Sequence, residues 1–338
     1  MRFARFRHEG AAATAVVVGD GEDARLHALR PGTTLVDLAA AGLDAARDAA
    51  AWATTTSEPV PLGRVRLLAP LVPPSVRDFV AFEEHVEGVA RSVSGESVVA
   101  PQWYEAPTFY FSNPHSLVGA HDDVAAPAGS ELLDFELEVA AVVGAPGRDV
   151  DPRHAGAHVF GYTVFNDWSA RDVQGREMKV GLGPAKGKDF ATTLGPWVVT
   201  ADELEPFRDA DGFLALELEA FVDGRRVGHD LLSNASWTFE EMLAYASRDS
   251  WVRPGDLLGS GTCGNGGCLA ELWGRSGEET PPPLRPGQTV RLEVEGIGAV
   301  ENRVVARPPG ADGLVPRARD RRTGRLAPQA GRPEEVAS

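Results

Sequence analysis

The sequence predicts an α+β protein that is mostly β: a strand-rich catalytic domain preceded by a small α+β unit. Two observations lead there. From Arg77 onward, short β-patterned runs follow one another: PTFYFSN, FELEVAAVVG, HVFGYTVFND, PWVVTADEL, FLALELEAFVDGRRVG and TVRLEVEGIG. Helical patterns are few and do not alternate with these runs, which disfavours a doubly wound parallel sheet.

Taken in order, residues 1–70 read as the small N-terminal domain. TAVVVGD is strand-like, and LVDLAAAGLDAARDAAAWA has the Ala-rich, helical spacing of an amphipathic helix. A Pro73-Pro74 pair then marks the boundary. Residues 71–307 form the larger domain. Within it DFVAFEEHVEGVARSV and TFEEMLAYASRD are the best helix candidates, and Asp223-Gly224 is a hairpin signal. Residues 308–338, rich in Pro, Gly and Arg, read as a disordered tail.

Composition narrows the function classes. The 338 residues carry a formal charge of −16, which argues against a nucleic-acid or anionic-membrane partner but not against a small anionic substrate. The N-terminus lacks a secretory apolar segment, and no run approaches the roughly 20 apolar residues of a membrane helix. Cys263 and Cys268, the only cysteines, complete neither a disulfide framework nor a zinc site. They read as reduced thiols in a cytoplasmic protein.

The chemistry starts at LLDFELEVAAVVG, Leu132 to Gly144. In a strand, Leu133, Phe135, Leu137 and Val139 share one face while Asp134, Glu136 and Glu138 share the other. Alternating acids ordinarily mark a solvated face, but Ala140 and Val142 continue this one as apolar residues, so it turns inward. Downstream, GYTVFNDWSARDVQ places Asp167 at the end of another apolar strand. Carboxylates converging from separate segments without His or Cys suit a hard cation, Mg2+, Ca2+ or Mn2+, which cancels their mutual repulsion.

NDWSARDVQ, with ELE on a preceding strand, resembles the signature of the fumarylacetoacetate hydrolase family, over roughly Arg77 to Arg307. The resemblance implies a mixed β-sandwich roll as the catalytic domain. It implies Asp78, Glu136, Glu138 and Asp167 as metal ligands, with Lys188 and Thr192 on the metal side. Asp134 has no ligand role in the family pattern and is assigned to solvent or a turn contact. His85, seven positions after Asp78, corresponds to the general base, and Glu271 in CLAELWG to the carboxylate that orients it. Arg171, Gln174 and Lys188 look like donors to developing oxyanion charge. Tyr110, Thr262, Gln174 and Met178 match substrate-contact positions.

Met178 and Val80 stand where the fumarylacetoacetate-cleaving enzyme has substrate-contacting tyrosines, and the loop between Gln174 and Lys188 is one residue longer. The resemblance therefore implies a conserved apparatus around a changed pocket. The expected activity is metal-dependent hydrolysis of a carbon–carbon bond in a 1,3-diketone acid or acylpyruvate. Isomerase, decarboxylase or lyase chemistry on 2-oxo or 2-hydroxy-dienoic acids is the alternative, as is a silent binding variant. A homodimer is expected. GSGTCG, although formally G-x-G-x-x-G, is followed by a strand-like run rather than a helix. It reads as a loop whose glycines let the backbone approach a ligand carboxylate.

Overall fold

The computed structural model describes residues 1–94 and 98–307, so the expected tail lies outside the described residues. Two sheets dominate. The larger runs, strand by strand, through Val60–Pro61, Arg25–Ala28, Ala11–Val18, Arg2–His8, Thr192–Thr200, Val159–Asp167, Leu137–Val143, Leu257–Gly259, Val76–Phe79 and Phe109–Ser112. The smaller is built from Arg225–Leu231, Glu217–Val222, Thr289–Val294, Gly298–Val305 and Val124–Ala125. Most pairings are antiparallel, as the lack of alternating helices predicts.

The two-residue period of Leu137–Val143 organises both cores. Leu137, Val139, Ala141 and Val143 face a core shared with Leu218, Ala220, Leu292 and Val300 of the smaller sheet. Ala140 and Val142 face the opposite core, with Leu35, Leu38 and Ala46 of the helix Leu35–Thr56. Burial of each large side chain contributes about 1.5–3 kcal/mol, so both faces of this strand are firmly specified. The first strand joins the same sheet, with Arg2 opposite Val199 and Phe3 opposite Val198.

Several elements follow their sequence signals closely. Thr34 and Asp37 form a capping box at the start of Leu35–Thr56, and Thr238 and Glu241 form another at Phe239–Ser247. The Asp223-Gly224 hairpin turn has both residues at positive φ, 50° and 76°. Two expectations need correction. The helix expected over DFVAFEEHVEGVARSV begins only at Glu83; Val76–Phe79 is a strand, held between Leu257–Gly259 and Phe109–Ser112. The run after GSGTCG is a helix, Leu269–Ser276, with Cys268 as its N-cap.

Candidate active site

Segments far apart in the chain meet at a cavity of about 350 Å3 whose walls include Asp78, Val80, His85, Val89, Tyr110, Glu136, Glu138, Arg171, Gln174, Met178, Lys188 and Thr262. Asp78 comes from the strand Val76–Phe79, whose parallel pairing puts it opposite Gly259. Glu136 precedes and Glu138 lies within Leu137–Val143, while Asp167 ends the neighbouring strand. His85 stands on the first turn of Glu83–Ser94, and Arg171 and Gln174 on Arg171–Met178.

The four expected ligand carboxylates are all buried, and they fall into two pairs. Lys188 joins Glu136 to Asp167: its Nζ bonds Glu136 Oε2, donates to Asp167 Oδ2 at 2.6 Å, and donates to Ser169 Oγ at 3.0 Å. Burial opposes ionisation of Glu136, but Lys188 and Arg171 outweigh it and hold this carboxyl well below the usual range. Lys188 in turn stays charged, because Asp167 and Glu136 overcome its own burial. Burial, only partly offset by Lys188, raises Asp167. Tyr110 Oη donates to the same Asp167 oxygen.

Asp78 and Glu138 form the other pair. Burial and then the charge of Asp167 push Asp78 up to about 8; burial and Asp78 push Glu138 well above the carboxylate range. Glu138 also accepts from Gly261 N at 3.1 Å and Thr262 Oγ1 at 3.4 Å. The glycine loop thus brings its backbone against the protein's own carboxylates rather than a ligand's. A Cβ at Gly259 would stand 2.6 Å from Asp78 Oδ1, and Gly261 holds φ at +79°.

His85 differs from expectation. Its Nδ1 lies 3.6 Å from Cys268 Sγ and its Nε2 4.0 Å from Glu136 Oε1. No hydrogen bond joins it to Glu271, whose carboxylate accepts from Asn265 N at 2.9 Å and pairs with Arg275 at 2.7 Å. Burial pushes Glu271 up to about 7 against the pull of Arg275. Burial likewise pushes His85 down to about 4, Glu136 opposing and Arg171 reinforcing. The imidazole is therefore neutral at pH 7. Its helix packs on Leu269–Ser276 at backbone contact: a Cβ at Gly274 would lie 1.9 Å from Gly88 O, and one at Gly88 2.4 Å from Glu271 Cγ.

Asp134 is the second correction. It is fully buried and meets no solvent. Its carboxylate accepts from Leu269 N at 2.8 Å and Ala270 N at 3.0 Å, at the start of a helix where negative charge is favoured. It also takes Arg171 Nε at 2.9 Å and Nη2 at 2.7 Å. Arg171 Nη1 then reaches Glu136 Oε1 at 2.8 Å and Gln174 Oε1 at 3.1 Å. Thr192 sits opposite Asp167 in the strand register, buried but outside the cavity wall. Sequence reasoning missed the roles of Asp134, Cys268 and Ser169. Only Asp134 left a signal, its place in the same alternation as Glu136 and Glu138.

Among the described residues, one grouping brings three metal-donor atoms together. His85, Glu136 and Cys268 bring one donor atom each within 4.8 Å of one another. Burial keeps the Cys268 thiol protonated, and Arg171 already occupies the Glu136 oxygen nearest His85, which disfavours that trio. The carboxylate pairs suit a hard ion by donor type, although no three of the four bring one oxygen each within that distance. Asp78 Oδ1 and Asp167 Oδ1 are buried without a hydrogen-bond partner, and the raised Asp78 and Glu138 hold protons where a hard ion would supply charge. Lys188 already bridges Glu136 and Asp167, so a cation taken up by that pair would have to displace its ammonium.

The family model for the fumarylacetoacetate (FAA) hydrolase C-terminal domain matches residues 75–305, and the model Rv2993c-like, N-terminal, matches residues 1–70. The fumarylacetoacetase of Arabidopsis thaliana is 34% identical over 257 residues, 62% of this chain and 61% of that protein. The chain thus spans about three fifths of the length of that relative. A putative hydrolase of Burkholderia multivorans is 32% identical over 64% of this chain and 68% of its own length. Among solved structures, a fumarylacetoacetate hydrolase from Exiguobacterium antarcticum matches with TM-score 0.70 and 26% identity, covering 91% of this chain and 100% of the other. A 5-carboxymethyl-2-hydroxymuconate delta-isomerase from Mycobacterium smegmatis matches with TM-score 0.66 and 27% identity, at the same coverage. No helix among the described residues is long and apolar enough to cross a membrane.

Proposed function

The chain belongs to the fumarylacetoacetate hydrolase family, and on that premise we propose that it hydrolyses a carbon–carbon bond in an acylpyruvate or related 1,3-diketone acid. One observation carries this reading: a neutral imidazole, His85, and a buried guanidinium, Arg171, approach the same Glu136 carboxylate at the wall of one cavity. A base that can take a proton from water thereby stands beside donors that can hold an oxyanion.

In this reading Asp78, Glu136, Glu138 and Asp167 hold a hard divalent cation, Mg2+ or an equivalent, with Lys188 and Thr192 beside them. Bound there, it supplies the Lewis acidity that makes an enolate a competent leaving group. His85 Nε2, the ring nitrogen on the Glu136 side, takes a proton as the water oxygen adds to the acyl carbonyl carbon. Arg171, Gln174 and Lys188 donate to the oxygen that gains charge. The bond from that carbon to the central methylene breaks, and its electron pair leaves with the pyruvate half. The proton on His85 then goes to the former central methylene carbon, which becomes the methyl of pyruvate, and the acyl half leaves as a carboxylic acid. Tyr110, Thr262 and Met178 contact the substrate. Residues 1–70 serve as the N-terminal domain, whose first strand extends the large sheet through Thr192–Thr200, and the protein acts as a homodimer.

His85→Ala should lower acylpyruvate turnover by about 100-fold or more. Loss of the enol absorbance, in protein loaded with Mg2+ or Mn2+, is the assay. A variant with near wild-type rate would end the hydrolase reading. One observation favours a second reading: Glu271 is not bonded to His85, which weakens water activation. The same site would then shift a proton along an enol, an isomerisation; the Mycobacterium smegmatis relative is named a delta-isomerase. Product analysis separates the two, since isomerisation conserves every carbon of the substrate and hydrolysis divides them.

A further inference from the structure

The three lysines of the chain, Lys179, Lys186 and Lys188, all fall in the stretch that follows the helix Arg171–Met178. Lys179 and Lys186 are exposed, whereas Lys188 is buried. Val180 and Leu182 are exposed as well. The backbone therefore crosses from solvent to the core between Leu182 and Lys188, and it ends on the ammonium that joins Glu136 to Asp167.

One carboxylate gathers that crossing. Glu177 Oε2 accepts from Ala185 N at 3.1 Å and Gly187 N at 3.0 Å, and Oε1 accepts from Lys186 N at 2.8 Å. Successive amides turned towards one anion form a nest, and bonds to an ionised acceptor are the stronger kind. Gly187 is held from its other side too. Its carbonyl accepts from Ala170 N at 2.7 Å, and a Cβ there would stand 2.7 Å from Gln174 N. Glu177 lies one turn beyond Gln174, so the helix that presents Arg171 and Gln174 to the cavity also holds the chain entering Lys188.

We propose that Glu177 is a positioning residue for the active site: its carboxylate fixes the backbone ahead of Lys188 and so sets where the Lys188 ammonium stands. A lysine side chain is a flexible four-carbon stem, so its charge is placed only as well as its backbone and partners place it. Glu136, Asp167 and Ser169 hold the head of Lys188, and the Glu177 nest holds its base. Glu177 itself is outside the cavity wall and acts through Lys188. The kinetic consequence rests on reading Lys188 as a donor to the oxyanion; the placement of its ammonium does not.

Carbon–proton correlation spectra of protein labelled at lysine Cε read that placement directly, because the chain has only three lysines to resolve. Lys179→Arg and Lys186→Arg assign the remaining signal to Lys188, whose Nζ lies 5.8 Å from the centroid of the Tyr110 ring. In Glu177→Ala that signal should move towards those of the two exposed lysines or broaden. Glu177→Gln, which keeps one acceptor oxygen, should lie between. Acylpyruvate turnover by Glu177→Ala should fall about tenfold or more in kcat, with KM staying within about twofold. A merely structural clasp would lower the unfolding midpoint and leave the Lys188 signal and kcat in place. An unmoved Lys188 signal, an unchanged kcat, or a Glu177→Gln variant no better than Glu177→Ala would overturn the proposal. If the signal moves as expected while the wild type cleaves no acylpyruvate, the Glu177 assignment stands and the hydrolase reading fails.

Discussion

Replacing Asp134 by alanine should cost more stability than any single change at the cavity surface. The carboxylate accepts two amides at the start of Leu269–Ser276 and one from Phe135, and it takes one hydrogen bond from Arg171 Nε beside an ion-pair contact with Nη2. Removing one partner of a buried ion pair costs about 3–5 kcal/mol, because the remaining charge stays desolvated. Each orphaned amide adds about 1–3 kcal/mol, but these groups act as one network and do not sum. Glu136 still holds Arg171 at 2.8 Å, which limits the loss. We expect about 5 kcal/mol in all, comparable to the whole stability of a marginal domain. Urea unfolding followed by circular dichroism measures it. Asp134→Asn, which retains one acceptor for the helix, should lose roughly half as much. If the alanine variant loses less than about 1 kcal/mol, the carboxylate is solvated and the network argument is wrong.

Other outcomes follow from the same geometry. Asp78→Asn and Glu138→Gln should each abolish tight Mn2+ binding in calorimetry, and binding to the wild type at pH 7 should release protons, since Asp78 is pushed up to about 8. With His85 pushed down to about 4, the acid limb of kcat/KM should fall near that pH rather than at the ordinary 6.5 of histidine. Glu271, pushed up to about 7 from 4.5, binds its proton more tightly when folded. Its contribution is therefore full below pH 4.5 and lost as pH rises through 7, so Glu271→Gln should flatten the decline in stability between pH 5 and 8. Gly274→Ala should lower turnover although residue 274 lies outside the cavity wall, because its methyl would collide with Gly88 O.

The sequence made the alternation of Leu132 to Gly144 legible because a strand's period is fixed by its backbone, and both cores use it. The helix beginning at Phe239 was legible in its own run, TFEEMLAYASRD, for the same local reason, and Thr238 and Glu241 cap it. Val76–Phe79 was hidden because its partners, Leu257–Gly259 and Phe109–Ser112, are distant in sequence, whereas the helical pattern that follows begins close by. The helix Leu269–Ser276 was hidden behind a cysteine cap, a residue outside the usual capping set. The inward turn of Glu136 and Glu138 was readable from Ala140 and Val142, and both glutamates are buried. What Asp134 touches was not, since a helix start and an arginine reach it from more than thirty residues away. The contact of His85 with Cys268 spans 183 positions and follows from how two helices cross.

That crossing sets a limit on how the protein can change. Gly88 and Gly274 let two backbones touch, so the depth at which the imidazole stands is governed by side chains the chain lacks. Drift at these two positions would be felt as a displaced base, with every residue of the cavity wall still in place. A search for variants with new substrate preferences can therefore vary the rim freely, provided it leaves that seam bare.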